Sequence, residues 1–507
     1  MKLRILYAVL ALAYLIPIWA VEYLPTTDGP AHTYNAWVLR QIDNRAEYPL
    51  FHRYYVIDAR PLPNWLGHAV MAGMMRAVPP RTAEKLLASG YVLLFLAGAW
   101  FLAGAVDPER GWLAFLALPM ACNRFFQMGF YNFCLGLALF LVALGFWWRR
   151  RNDPGLGFPL ALNALLLLCW LSHLVAHFLA LAAIGTLALL ASEGWRARVR
   201  GLAILAPQAI LPLWFLSGRS GDLEWLPHAA GAVWSYLLRL QMVVSFGFWI
   251  GPCLALAFLA VVLLTLRSRW RRSPGERGRP WCRQDAFLLL SALFVVLYLA
   301  SPDNAVGGSL LKQRLSLFPW LVLLPWLEPD LGRRGRALVV GALSLLAVVH
   351  VALLAQGYRS LDRDVREYLS GAAAIAPDSR VLPLLFDRRV SLAGLGSLDH
   401  AFAYVALEKG LLDWENYEAA SRLFPVRFRP GVRRPDTHSV EAFLAELDLA
   451  AVRDEIDYLY CWKMVPGSEI ARRIERHYDL LDERGASRLY ARKGWRAPGP
   501  RGGTRED

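Results

Sequence analysis

The chain has 507 residues, 56% of them hydrophobic, with 20 tryptophans and a formal net charge of +14. Apolar blocks long enough to cross a bilayer exclude an ordinary soluble domain, and arginines bunched between those blocks account for the positive charge better than nucleic-acid binding does. The six cysteines are scattered, mostly within apolar runs and with no Cys-x-x-Cys pair, so they read as small hydrophobes, neither a zinc site nor a disulfide framework.

The first apolar block, 5–21, follows Lys2 and Arg4 and is not followed by a small-x-small cleavage pattern, so a retained helix with a cytoplasmic N-terminus is expected. Basic clusters recur at 76–85, 149–151, 196–200, 267–283 and 333–336, and each is expected inside. The segments 22–60, 106–111, 172–177, 217–234 and 301–314 are then outside, together with everything after the last span. Further spans are expected at 63–78, 86–105, 156–171, 178–190, 202–216, 236–266, 286–300, 315–326 and 338–354. The stretch 112–148 is too long for one helix and too short for three, and a re-entrant half-helix followed by one full span fits it. The total is about eleven helices.

Beyond residue 357 charge is spread throughout and no block can span. Residues 380–386 and 457–462 read as short buried strands, and 361–369 and 439–449 have helical spacing. The expected fold class is therefore an all-α polytopic membrane domain over 1–356, with a long first outer loop at 22–60, and a small α/β extracytoplasmic C-terminal domain over 357–495. Residues 496–507 are Gly, Pro and charge, with the composition of a disordered tail.

On this topology the polar groups gather on the outer side, where ionisable residues close to lipid are costly and call for a function. Asp28 stands just past the first span in Leu24-Pro-Thr-Thr-Asp-Gly-Pro-Ala-His32, with His32 one turn later and Arg60 at the end of the loop. Arg124 and Asn132 fall in the 112–148 stretch, His173 and His177 in a turn between spans, and Lys312 and Arg314 just before another span. Ala31, Tyr34, Val38 and Ile42 recur at helical spacing opposite Arg40, Gln41 and Asp43, as in an amphipathic surface helix that Asp28 would start.

Each residue also has a plainer reading. Asp before Gly-Pro is a common helix cap. His173 and His177 could ligate a metal with Asp28 or His32, or simply hydrogen-bond across helices. Lys312, Arg314 and Arg60 could bind phosphate or anchor helix ends at headgroups. Asp399-His400 and His438 have no triad-like context and are expected at the surface.

The layout resembles the GT-C superfamily of multi-span glycosyltransferases, and its protein-mannosyltransferase-like branch in particular. It shares a first span, an outer loop opening at Thr27-Asp28-Gly29-Pro30, a second span entered through Pro61-Leu-Pro-Asn-Trp65, and a soluble outer C-terminal domain. Many members carry paired acidic residues in the loop, whereas here glycine follows Asp28. The resemblance implies a polyprenyl-phosphate-linked sugar donor, a protein, lipid or glycan acceptor, and Asp28 as the base for the acceptor hydroxyl. The expected setting is a bacterial inner (plasma) membrane with the active site on the outer face. His32, Arg60, Arg124, Asn132, His173, His177, Lys312 and Arg314 are the candidate substrate-binding residues, and the need for a divalent cation is left open. A transporter or flippase of a lipid or lipid-linked saccharide is the alternative, although such proteins place polar groups near the midplane on repeated, broken helices.

Overall fold

A computed structural model describes residues 1–217, 223–226, 230–243, 245–271, 282–305, 307–387, 396–435 and 448–496. Two expectations, a helix at 439–449 and a disordered 496–507, fall almost wholly outside the described residues, and the expected place of His438 lies outside them as well. The chain divides into two compact units. The first comprises Met1–Ala20, Pro61–Leu66 and Ala88–Gly357, and the second Val21–Arg60, Gly67–Leu87 and Tyr358–Asp507.

Among the described residues, seven helices are long and apolar enough to cross a membrane: Lys2–Trp19, Pro80–Ala103, Tyr131–Arg150, Leu174–Ala191, Gly194–Ser217, Ile250–Trp270 and Arg333–Ser370. Gly157–Ser172 and Asp285–Ala300 are apolar but shorter. Eleven crossings would require two further elements that hydropathy overestimates. The helix expected at 63–78 covers only Leu66–Met74, after two prolines and a left-handed Asn64. The run at 315–326 is broken into Leu311–Leu315, Phe318–Leu323 and Leu324–Trp326, with Pro319 and Pro325 each at the start of a new segment. Residues 112–148 hold a buried 3₁₀ segment, Pro108–Ala117, then a four-residue helix, Arg124–Gln127, and one full-length helix, Tyr131–Arg150.

Within the first unit, Ile5, Val9, Leu12 and Ile16 lie on one stripe of the first helix and are each more than half exposed. That exposure is untenable in water and ordinary against lipid. Tyr7 and Tyr14 on the same helix turn inward, Tyr7 donating to the Leu96 carbonyl at 2.9 Å and Tyr14 meeting His350 Nδ1 at 3.1 Å. Close helix contact relies on small residues: a Cβ on Gly136 would stand 2.8 Å from the Ala176 Cβ.

The second unit is built on a five-stranded mixed sheet, and the two strands expected from the sequence are at its centre. Its strands are β2 (Arg380–Leu385), β3 (Leu412–Asp413), β5 (Tyr458–Trp462), β6 (Tyr478–Arg484) and β7 (Ser487–Arg492), in the order β3-β2-β5-β7-β6. β2 runs parallel to β3 and β5, while β7 pairs antiparallel with β5 and β6. Every β5 side chain is buried, as expected where both faces are covered. The helix Ala403–Lys409 returns the chain from β2 to β3 and ends on Gly410, whose φ of +66° suits a residue without a Cβ. A small second sheet pairs β1 (Tyr55–Ile57) with β4 (Val426–Phe428). The first loop is no bystander, since its helix Gly29–Gln41 sends Tyr34 and Val38 into the same core as Tyr404, Leu412 and Tyr460.

Candidate active site

Asp28 occupies the N-cap position of the helix Gly29–Gln41, yet its side chain makes no capping hydrogen bond. The local sequence explains part of this, because Pro30 at the second helical position has no N–H to offer a cap. The carboxylate turns instead to residues almost four hundred positions away. Tyr417 donates its hydroxyl to Oδ2 at 3.0 Å, and His400 Nε2 lies 3.7 Å from Oδ1. The His400 ring packs on Tyr417 with centroids 4.7 Å apart. Burial pushes the Asp28 carboxyl up to about 7, against the opposing pull of His32 and the Tyr417 hydrogen bond.

One turn along the same helix, His32 Nδ1 lies 2.8 Å from Glu418 Oε1, and His68 Nε2 lies 2.6 Å from Glu418 Oε2. His32 is 4% exposed, and His68 and Glu418 are fully buried. Burial alone would raise the Glu418 carboxyl, but the two imidazoles hold it down at about 2, and Glu418 in turn raises His32 despite burial of the ring.

A polar lock sets the register between these segments. Asn35 and Asn416 exchange side-chain amide hydrogen bonds at 2.9 and 3.0 Å, and Asn416 also donates to the Tyr55 hydroxyl at 3.2 Å. Asn416 then caps the short helix Tyr417–Ala420 by accepting from the Ala419 N–H. The same residue thus fixes both Tyr417 against Asp28 and Glu418 against His32. Farther back, the Tyr404 hydroxyl donates to Glu84 at 2.7 Å and lies 3.2 Å from the Leu24 carbonyl, anchoring the approach to Asp28.

Arg60 is engaged elsewhere in this unit, with its guanidinium on Asp58, whose other charged partner is Arg427 at 2.7 Å. These hydrogen bonds hold the Asp58 carboxyl well below the usual carboxylate range, although its own burial opposes them. The Arg60 side chain is 55% exposed and Arg427 remains on Asp58 without it. Arg60→Ala is therefore expected to cost less than about 1 kcal/mol in thermal unfolding. A larger loss would mean the pair does more than surface ion pairs do.

In the first unit the structure groups three of the expected residues. His173 caps the helix Leu174–Ala191, its Nδ1 accepting from the Val175 N–H at 3.2 Å, and its Nε2 faces the Arg314 guanidinium. A neutral imidazole has one acceptor nitrogen, so the backbone and Arg314 compete for it. Arg314 also lies over the rings of Phe130 and Phe133, at 4.7 and 5.3 Å. Asn132 donates to the Asn64 carbonyl at 3.2 Å, and the Asn64 N–H donates to the Ser172 carbonyl next to His173. Lys312 is buried, 5.8 Å from the Trp225 ring centroid. Arg124 opens its short helix after Asn123, which supplies the cap. His177 has Nδ1 at 3.0 Å from the Leu166 carbonyl and Nε2 at 3.4 Å from that of Gln208, the cross-helix arrangement of the plainer reading.

Sequence reasoning missed His68, His400, Tyr417 and Glu418. His400, expected at the surface, is partly buried against Asp28 and Tyr417, a correction imposed by the packing of the second unit. Glu418 sits in Asn-Tyr-Glu-Ala-Ala, where nothing local separates it from an ordinary helical glutamate.

No family model and no curated protein matches the chain. Among solved structures, the mycobacterial arabinofuranosyltransferase AftD aligns with a TM-score of 0.48 and 16% identity, over 96% of this chain and 39% of AftD. ArnT from Cupriavidus metallidurans, whose structure holds undecaprenyl phosphate, aligns with a TM-score of 0.52 and 11% identity over 96% of this chain and 97% of ArnT. The protein is a multi-pass membrane protein that shares the fold of ArnT, at an identity that speaks for the fold alone.

Proposed function

We propose that the protein is an integral-membrane glycosyltransferase of the protein-mannosyltransferase-like kind. It moves a hexosyl or pentosyl group from a polyprenyl-phosphate-linked donor to an acceptor on the outer face of a bacterial inner membrane. The observation that carries this reading is Asp28, a carboxylate at a cap position that does not cap and that is held for another task by Tyr417 and His400. In the reaction the acceptor oxygen attacks the anomeric carbon, the bond to the phosphate oxygen breaks with its electron pair, and the acceptor proton passes to Asp28. A single displacement inverts the anomeric centre. Charge builds on the departing phosphate, and Arg314, Lys312 and Arg124 are the cations assigned to it, with Asn132 and His173 supporting Arg314. The ArnT fold, seen with undecaprenyl phosphate, supports the donor class.

The reading is tested by offering purified protein in detergent a panel of polyprenyl-phosphate sugars and measuring release of polyprenyl phosphate. Release from no donor, with a wide acceptor panel and folded protein, would overturn it. The same assay carries a pH signature. Asp28 must be ionised to accept a proton, so the rate is expected to rise about tenfold per pH unit below 7 and level off above it. A rate flat from pH 5 to 8 would place the base elsewhere.

A further inference from the structure

We propose that His32, His68 and Glu418 are the protein ligands of a divalent transition-metal ion of the zinc type. The three come from distant parts of the chain and offer two imidazole nitrogens and a carboxylate oxygen that all lie within 4.8 Å of one another, each residue buried. Ligands around tetrahedral zinc stand about 3.3 Å apart, so modest side-chain rotation closes the set on one ion. The imidazole planes are nearly perpendicular, at 84° with centroids 5.2 Å apart, which lets both rings aim at one point without clashing. Phe424 packs 5.8 Å from each ring and gives the site an apolar wall.

A plain hydrogen-bonded cluster is the competing account, and the donor set is what favours an ion over it. His68 Nε2 and Glu418 Oε2 are aligned for a hydrogen bond. Glu418 Oε1 faces His32 Nδ1 at 2.8 Å, so each carboxylate oxygen meets an imidazole nitrogen, the contacts that one shared ion would take over. The donor set decides the kind of ion. Magnesium and calcium prefer oxygen throughout, whereas two imidazoles and one carboxylate are a three-ligand zinc set that leaves a fourth position open. The Asn35–Asn416 lock described above holds two of the three ligand-bearing segments in register before any ion binds.

The proposal does not rest on the transferase reading, and its test reads metal directly. Full-length protein in detergent, stripped with chelator and dialysed against Zn²⁺, is expected to retain one zinc per chain by mass spectrometry. Co²⁺ in its place should give the visible absorption of a tetrahedral site. Loss of an outer partner already weakens zinc 10–100-fold, so His68→Gln and Glu418→Gln, which remove a ligand, are expected to weaken it about 100-fold or more. His68→Cys keeps a ligand and guards against misfolding as the explanation: it should retain zinc and add a thiolate-to-cobalt charge-transfer band. Less than half a zinc per wild-type chain, or equal zinc in wild type and Glu418→Gln, would overturn the site. Neither result bears on whether sugar is transferred.

Discussion

Asp28→Asn is expected to abolish sugar transfer while making the protein harder to melt at alkaline pH. Removing a general base costs about 10²–10⁴ in rate, and the loss should fall on kcat, since the acceptor still binds but its proton has nowhere to go. The stability effect has the opposite sign. Because the folded-state carboxyl titrates near 7, above its ordinary value, Asp28 is tolerated best when protonated, and its ionisation withdraws stability as pH rises through 7. A shift of that size is worth up to about 4 kcal/mol, less whatever the amide loses at Tyr417. The asparagine cannot ionise, so at pH 8 it should melt above wild type, and at pH 4 the two should coincide. An active Asn variant sinks the catalytic role, whereas an inactive one that melts lower at pH 8 sinks the account of how the carboxylate is held.

Glu418→Ala is expected to be among the most destabilising single changes in the second unit. Glu418 is fully buried between two histidines, and deleting it leaves both imidazoles facing an empty, dry space. Breaking a buried ionic cluster by removing one member costs about 3–5 kcal/mol, whereas exchanging the whole cluster for apolar residues of similar volume is often close to neutral. The triple change His32→Leu, His68→Met, Glu418→Leu should therefore recover much of what Glu418→Ala loses in thermal unfolding. If Glu418→Ala melts within 1 kcal/mol of wild type, the cluster does not hold these segments together.

The sequence was legible where the signal is local and opaque where it is carried by distance. β2 and β5 could be read from short apolar runs, and the long spans from composition, because burial on all sides leaves a mark on every residue. Asp28 stood out because Thr-Thr-Asp-Gly-Pro follows a span, and the helix behind it because its apolar positions keep a period. Breaks within apolar stretches were harder: 236–266 reads as one run, yet it takes in the end of the helix Ala230–Leu238, a left-handed Leu240, a 3₁₀ turn and most of the helix Ile250–Trp270. Hydropathy does not see backbone geometry. The partners of Asp28 and His32 were invisible for another reason. Tyr417 and Glu418 gain meaning only when the last quarter of the chain folds onto the first loop, and no periodicity connects residues 28 and 417.

That separation also sets a timetable. The reciprocal Asn35–Asn416 pair joins residues 381 positions apart. At about 5–20 residues per second, synthesis takes on the order of half a minute between them. During that interval the helix Gly29–Gln41 carries Tyr34, Asn35 and Val38 with none of their final neighbours from β3 and the segment after it. A ribosome that stops early therefore releases a chain with its membrane helices made and Asp28 still without Tyr417 and His400 beside it.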